Sequence, residues 1–149
     1  MKYPTLYTSR YNYKGLPSFD GVKVQISNGA PKWEVPYPLY VLKLLAPPYY
    51  IKWDENFREN YLNYLDGIGF EKISQMLSKV SEIHGGQSLV LLCWENVLEG
   101  KECHRRNFAE WWESHTGEKV LELETEIYNH LPQEVQKSAA CENIQLKLF

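Results

Sequence analysis

Ser88-Leu89-Val90-Leu91-Leu92-Cys93-Trp94-Glu95 is the stretch on which the fold turns. Leu89 to Leu92 are apolar without interruption, Gly85-Gly86 stand just before them, and a polar loop over 96–102 follows. A strand with one wet face alternates apolar and polar residues, whereas an unbroken run bounded by turn residues is the pattern of a strand covered on both faces. Strands of that kind sit in the middle of parallel sheets whose faces are closed by helices.

The flanking segments supply such helices. Asp54 is expected to cap a helix over 55–66, with Phe57, Tyr61, Tyr64 and Leu65 on one face and Gly67 and Gly69 punctuating its end. Phe70, Ile73, Leu77 and Val80 then recur at helical spacing up to Gly85-Gly86, which predicts a second helix. Beyond the apolar run, a third helix is expected from near Cys103 to His115, closed by Gly117, with Phe108, Trp111, Trp112 and His115 on its buried face. Residues 120–123 read as a last strand, and 128–135 as an amphipathic stretch in the tail.

Toward the N-terminus, residues 5–8 read as a first strand ending in the polar loop Ser9-Arg10-Tyr11. Tyr3, Tyr7 and Tyr11 recur every four residues, but Pro4 and the β-favouring Thr and Tyr residues argue against a helix there. Residues 21–27 alternate apolar and polar up to Asn28-Gly29, the signature of a half-buried strand. Pro31, Pro36, Pro38, Pro47 and Pro48 surround an apolar run over 39–45, leaving room only for a short helix or turn in a covering loop. Helices alternating with apolar strands predict a single α/β domain over residues 1–149, a mainly parallel sheet flanked by helices.

The chain has 149 residues, 44% hydrophobic and 23% charged, which are the proportions of a globular domain rather than a disordered one. Its formal net charge of -3 gives no overall basic field, so a nucleic-acid partner is possible but not favoured. The longest apolar run is well short of the roughly 20 residues that span a bilayer, so no membrane partner is expected. Met1-Lys2 is followed at once by Tyr3-Pro4 and polar residues, unlike an export signal, and three cysteines make a poor disulfide framework. A reducing, cytoplasmic setting is the expectation. Oligomeric state is not legible.

In parallel sheets ligands bind beyond the carboxyl ends of the strands. Cys93-Trp94-Glu95 leaves the apolar strand at that edge, and the next helix opens on Cys103-His104-Arg105-Arg106. Helix-start N–H groups attract anions, and arginine adds a forked, permanently charged donor. Cations in a first helical turn oppose the helix dipole, so this pair points to an anionic ligand or a buried carboxylate such as Glu95. Ser9, Arg10 and Tyr11 reach the same edge if the first strand lies beside the apolar one.

Three chemistries fit. Arg10, Arg105 or Arg106 could clamp a phosphate or carboxylate while Glu95 or His104 handles a proton. Cys93 or Cys103 could be a nucleophile, its thiolate favoured by the helix start and the arginines. Cys93, Cys103 and His104 could hold zinc, but there is no CxxC pair, and the side chains of neighbours 103 and 104 diverge on a helix, so neither a metal nor another cofactor is expected. Structural roles compete with each: Cys93 as a small buried hydrophobe, a Glu95–Arg105 ion pair, Trp111 and Trp112 as core and rim, and the N-terminal tyrosines as packing, with Tyr7, Tyr11 or Tyr13 as alternatives lining the site. His84 and His130 have no evident partner.

Leu91-Leu92-Cys93-Trp94-Glu95, a loop, Cys103-His104-Arg105-Arg106 and Phe108-Ala109-Glu110-Trp111 together resemble the domain-of-unknown-function 488 family. The likeness covers residues 89–123, with weaker echoes at Thr8-Ser9-Arg10 and Leu45-Ala46-Pro47-Pro48. Val24-Gln25-Ile26-Ser27 stands where that family carries an aspartate-valine-arginine element. The resemblance implies a compact α/β fold and a polar pocket built on Cys93, Glu95, Cys103, His104 and Arg105, without implying a reaction. The functional expectation is a domain that binds an anionic small molecule or nucleotide at this edge, with Trp94 among the contacts. The alternative is a non-catalytic interaction protein binding nucleic acid or a protein partner.

Overall fold

The computed structural model describes residues 3–94 and 103–124. Expectations for Glu95, the 96–102 loop, the 128–135 stretch and His130 lie outside the described residues. Five strands form one sheet: β1 (Leu6–Arg10), β2 (Val22–Gln25), β3 (Tyr40–Val41), β4 (Leu89–Cys93) and β5 (Leu121–Glu122). Three helices accompany them: α1 (Phe57–Ile68), α2 (Phe70–Ile83) and α3 (His104–Thr116). The sheet order is β3-β2-β4-β1-β5, and every pairing is parallel.

β4 lies in the middle, with β1 on one side and β2 on the other, and all five of its residues are buried. Alternate side chains of a strand point to opposite faces, and each face here has its own cluster. Leu89 and Leu91 join Leu6, Val22 and Val24 under Phe57, Tyr61, Leu65, Ile73, Leu77, Phe108 and Trp112 from the helices. Val90 and Leu92 join Tyr11, Tyr13, Leu16, Tyr37 and Leu123 on the other face. Cys93 therefore shares its parity with Leu89 and Leu91 and faces the helical side.

β2 departs from the half-buried strand expected: all four residues are buried, Lys23 and Gln25 included. Lys23 reaches out to donate from Nζ to the Phe19 carbonyl at 2.6 Å, so its alternating polar residues sit under loop rather than in water. The proline-rich segment does cover the molecule, and it contributes the short strand β3 and a 3-10 turn, Lys43–Leu45, that its prolines permit. Tyr61 and Tyr64 pin that turn from α1, donating to the carbonyls of Leu45 and Leu44.

The helices fall close to their expected places. α1 begins at Phe57, two residues later than the spacing predicts, with Asn56 at its N-cap; Asp54 Oδ1 instead accepts from the Asn56 N–H at 2.9 Å, in the turn before the helix. Gly69, at φ 102° and ψ 137°, separates α1 from α2, a backbone conformation only glycine adopts without strain. α3 ends at Gly117 as expected, but His115 is exposed rather than buried, its ring stacked on Phe70 at 4.9 Å. His84 finds a partner within its own chain turn, the Val80 carbonyl at 2.7 Å from Nδ1. No helix among the described residues is long and apolar enough to cross a membrane.

Candidate functional site

The register of the sheet decides which residues meet. β1 runs beside β4 with Arg10 opposite Cys93, so Ser9-Arg10 and Cys93-Trp94 leave the same edge together. Tyr11 continues that edge, its N–H bonded to the Cys93 carbonyl and its hydroxyl 2.6 Å from Ser27 Oγ. Trp94 packs on Tyr11, with ring centroids 4.8 Å apart, and Trp33 meets Trp94 edge-on at 5.5 Å.

Cys103 and His104 arrive from α3. Cys103 is the N-cap, in extended conformation (φ -144°, ψ 141°), and its side chain makes no capping hydrogen bond. His104 is the first helical residue. The expectation that neighbouring side chains 103 and 104 diverge assumes that both are helical. Because the helix begins between them, they converge instead: Cys93 Sγ, Cys103 Sγ and one nitrogen of His104 all lie within 4.8 Å of one another, and all three residues are buried.

His104 is held at both ring nitrogens. Nε2 lies 2.6 Å from the Ile26 carbonyl, and Nδ1 lies 3.4 Å from Cys93 Sγ. A carbonyl can only accept, so Nε2 carries a proton there, and Nδ1 is the nitrogen that faces the sulfurs. The rings of Tyr61 and Trp53 stand edge-on to the imidazole at 5.4 and 6.2 Å. Burial pushes the Cys93 thiol well up, reinforced by the hydrogen bond and charge of Cys103. Burial also opposes ionisation of Cys103, but hydrogen bonds from Cys93 and His104 and the charge of Arg105 outweigh it and hold that thiol low.

The arginines meet carboxylates of their own chain. Arg105 forms a bidentate pair with Glu122, Nε to Oε1 at 3.0 Å and Nη2 to Oε2 at 2.8 Å, with both side chains buried. Burial alone would lower the Arg105 pKa; the bonds and charge of Glu122 reverse this and keep it charged. Arg10 binds Glu124 through two bonds of 2.8 and 3.1 Å. Arg106 differs, because the acceptors of its Nη1 are neutral: Thr8 Oγ1 at 2.7 Å and the Val120 carbonyl at 3.1 Å. Burial lowers its pKa, against the pull of Glu122 and Glu113. Thr8 links the groups by donating to Glu122 Oε1 at 2.7 Å.

Of the residues expected at the site, Cys93, Cys103 and His104 meet directly, and Tyr11 and Trp94 wall the same edge. Ser9 is buried and donates to the Arg10 carbonyl. Arg10, Arg105 and Arg106 frame the edge but are engaged on the β5 side. Glu122 and Glu124 are the residues that the sequence reading missed. Their signal is present in Val120-Leu121-Glu122-Leu123-Glu124, where two carboxylates recur at strand spacing among apolar residues. The Ile26 carbonyl, as backbone, carries none. Asn107, one helical turn beyond Cys103, is buried and its Nδ2 has no hydrogen-bond partner among the described residues. A recess of about 550 Å³ lies apart from this cluster, lined by Lys43, Leu44, Tyr49 and Tyr64 among others.

No family model, no curated protein and no solved structure matches the chain.

Proposed function

We propose that the chain binds an anionic small molecule or nucleotide at the carboxyl edge of β4, facing the thiols of Cys93 and Cys103 and the imidazole of His104. The observation that carries this reading is their convergence: two sulfurs and a nitrogen within 4.8 Å, at the edge where parallel sheets receive ligands. Groups of that reactivity are not what close packing alone would gather. The start of α3 adds its N–H groups and positive dipole end at the same place. Arg106, held by neutral acceptors, is the arginine with charge to offer, whereas Arg10 and Arg105 are already neutralised by Glu124 and Glu122. The Asn107 Nδ2, on the same helix, one turn on from Cys103 and without a hydrogen-bond partner among the described residues, supports the reading too, since such a donor is ordinarily satisfied by protein, water or ligand. The resemblance to the domain-of-unknown-function 488 family points to the same residues.

The test is thermal denaturation in the presence of nucleotides and phosphorylated metabolites. A ligand at a hundred times its Kd should stabilise the wild type by about 2.7 kcal/mol. Cys103→Ser and Arg106→Ala should each fold and lose most of that shift. If no compound shifts the wild type, the reading fails. The second reading, an interaction protein, is favoured by a specific surface: Tyr49, Tyr50, Trp53 and Val41 are all more than half exposed. Its mark would be a captured partner released by changing those tyrosines and retained by Arg106→Ala.

A further inference from the structure

We propose that Cys93, Cys103 and His104 form a binding site for a soft divalent cation of the zinc class. The two sulfurs and Nδ1 are its ligands, and the Ile26 carbonyl is the outer group that orients the imidazole. The proposal deepens the ligand-binding reading, and rests on it only for what occupies the remaining coordination position.

Three features of the cluster carry it. Its donor types are soft thiolates and a neutral imidazole, which select zinc-class ions over magnesium or calcium. Among the described residues, the nearby carboxylates that would suit harder ions are engaged, Glu122 by Arg105 and Glu124 by Arg10.

The second feature is spacing. Bond lengths of about 2.3 Å to sulfur and 2.0–2.1 Å to nitrogen put tetrahedral ligand atoms about 3.5 Å (S to N) and 3.8 Å (S to S) apart. Cys93 Sγ already lies 3.4 Å from His104 Nδ1, and no pair in the cluster exceeds 4.8 Å. Closing the set around an ion therefore takes a shift of about an ångström at most, within reach of side-chain rotation.

The third is the fixed tautomer. A metal-binding histidine commonly donates its other N–H to a carbonyl or carboxylate, which aims its lone pair and raises its basicity. The 2.6 Å contact from Nε2 to Ile26, at the end of β2, does this here. Two strand ends and one helix start thus converge: the end of β4 gives Cys93, the end of β2 orients the ring, and the start of α3 gives Cys103 and His104. On binding, the protons still carried by the thiols pass to solvent, and two thiolates then offset the charge of a dication.

Among the described residues the cluster offers three protein ligands, the complement of a site that keeps a position for an exogenous group. In the ligand-binding reading, that group is the anionic ligand, held by a direct bond to the ion, while Arg10 and Arg105 are engaged by Glu124 and Glu122.

Cobalt(II) is the probe, added anaerobically to reduced wild-type protein pretreated with chelator. The expected result is a saturating thiolate-to-cobalt charge-transfer band with tetrahedral d–d bands, one cobalt per chain, displaced by zinc. Cys93→Ser and Cys103→Ser should abolish the band, and His104→Ala should weaken binding tenfold or more. Serine is a favoured N-cap residue, so Cys103→Ser keeps the start of α3 intact. A measurement that needs no variant is alkylation of the wild type. One equivalent of zinc should slow modification of Cys93 and Cys103 at least tenfold relative to the zinc-free protein.

Absence of the band in protein whose thiols are fully reduced overturns the proposal. So does a band that persists in the Cys93→Ser, Cys103→Ser double variant. The two readings fail separately. Cobalt binding with no shift by any nucleotide or phosphorylated metabolite leaves the metal site standing and removes the anionic ligand; ligand stabilisation in reduced protein that shows no cobalt band does the reverse.

Discussion

Arg105 carries a full charge into a region with no water to receive it, and Glu122 meets it there with two hydrogen bonds. Such a pair is costly to desolvate and therefore contributes little net stability, yet removing one member leaves the other charged and stranded. Arg105→Ala or Glu122→Gln should each cost about 3–5 kcal/mol in urea denaturation, whereas the double change Arg105→Met, Glu122→Leu should recover most of that loss. A pair that existed only to present charge to a ligand would behave differently: each single variant would lose binding at nearly unchanged stability. At this scale the sequence shows which residues are unusual but not what they touch. Arginines in the first turn of a helix are out of keeping with its dipole, so their need for a carboxylate or an anion was legible. That the carboxylate is Glu122 depends on β5 returning beside β1, with Glu122 opposite Thr8, a pairing across 114 residues.

α3 carries its design in its two ends. At its C-terminus Gly117 takes φ 75° and ψ 1°, and its N–H closes on the Glu113 carbonyl at 2.8 Å. A Cβ added there would meet nothing within 4 Å, so substitution acts through backbone strain alone. Gly117→Ala should lower stability by about 1 kcal/mol, the usual penalty of left-handed backbone for an L-residue, with no change in cobalt or ligand binding. Denaturation and titration on the same variant check both halves. The N-terminus follows the opposite logic. Cys103 occupies a position where serine, threonine, aspartate or asparagine would cap, and its side chain makes no capping bond. The start near Cys103 and the stop at Gly117 were both legible, since apolar spacing and glycine are local signals. The inference that residues 103 and 104 point apart was not sound, because it depends on whether the helix includes residue 103. A boundary error of one residue turns a diverging pair into a converging one.

At the scale of the whole molecule, stability concentrates in β4. Leu91 is fully buried, between strands on both sides and beneath the helices. Leu91→Ala should cost about 2–5 kcal/mol in chemical denaturation, as a truncated core leucine does, with the cooperativity of the transition retained. Val41, on the edge strand β3 and 54% exposed, gives the contrast: Val41→Ala should stay within about 0.5 kcal/mol. Comparable losses at the two positions would mean that β4 is not the centre of the fold.

The sequence by itself determined the fold class, and it singled out several residues that meet without showing that they do. An unbroken apolar strand, helical spacings and glycine stops are local patterns set by backbone geometry, and Cys93, Cys103 and His104 stood out by type and by their place at a strand end and a helix start. Tertiary structure alone decided how they combine. The order β3-β2-β4-β1-β5 brings the Ile26 carbonyl to His104 and the carboxylates of Glu122 and Glu124 to Arg105 and Arg10, turning an expected arginine clamp into internal ion pairs and leaving sulfur and imidazole facing one another. Contacts of that kind are set by strand order and register, which depend on how the whole chain packs, and no local stretch of sequence encodes them.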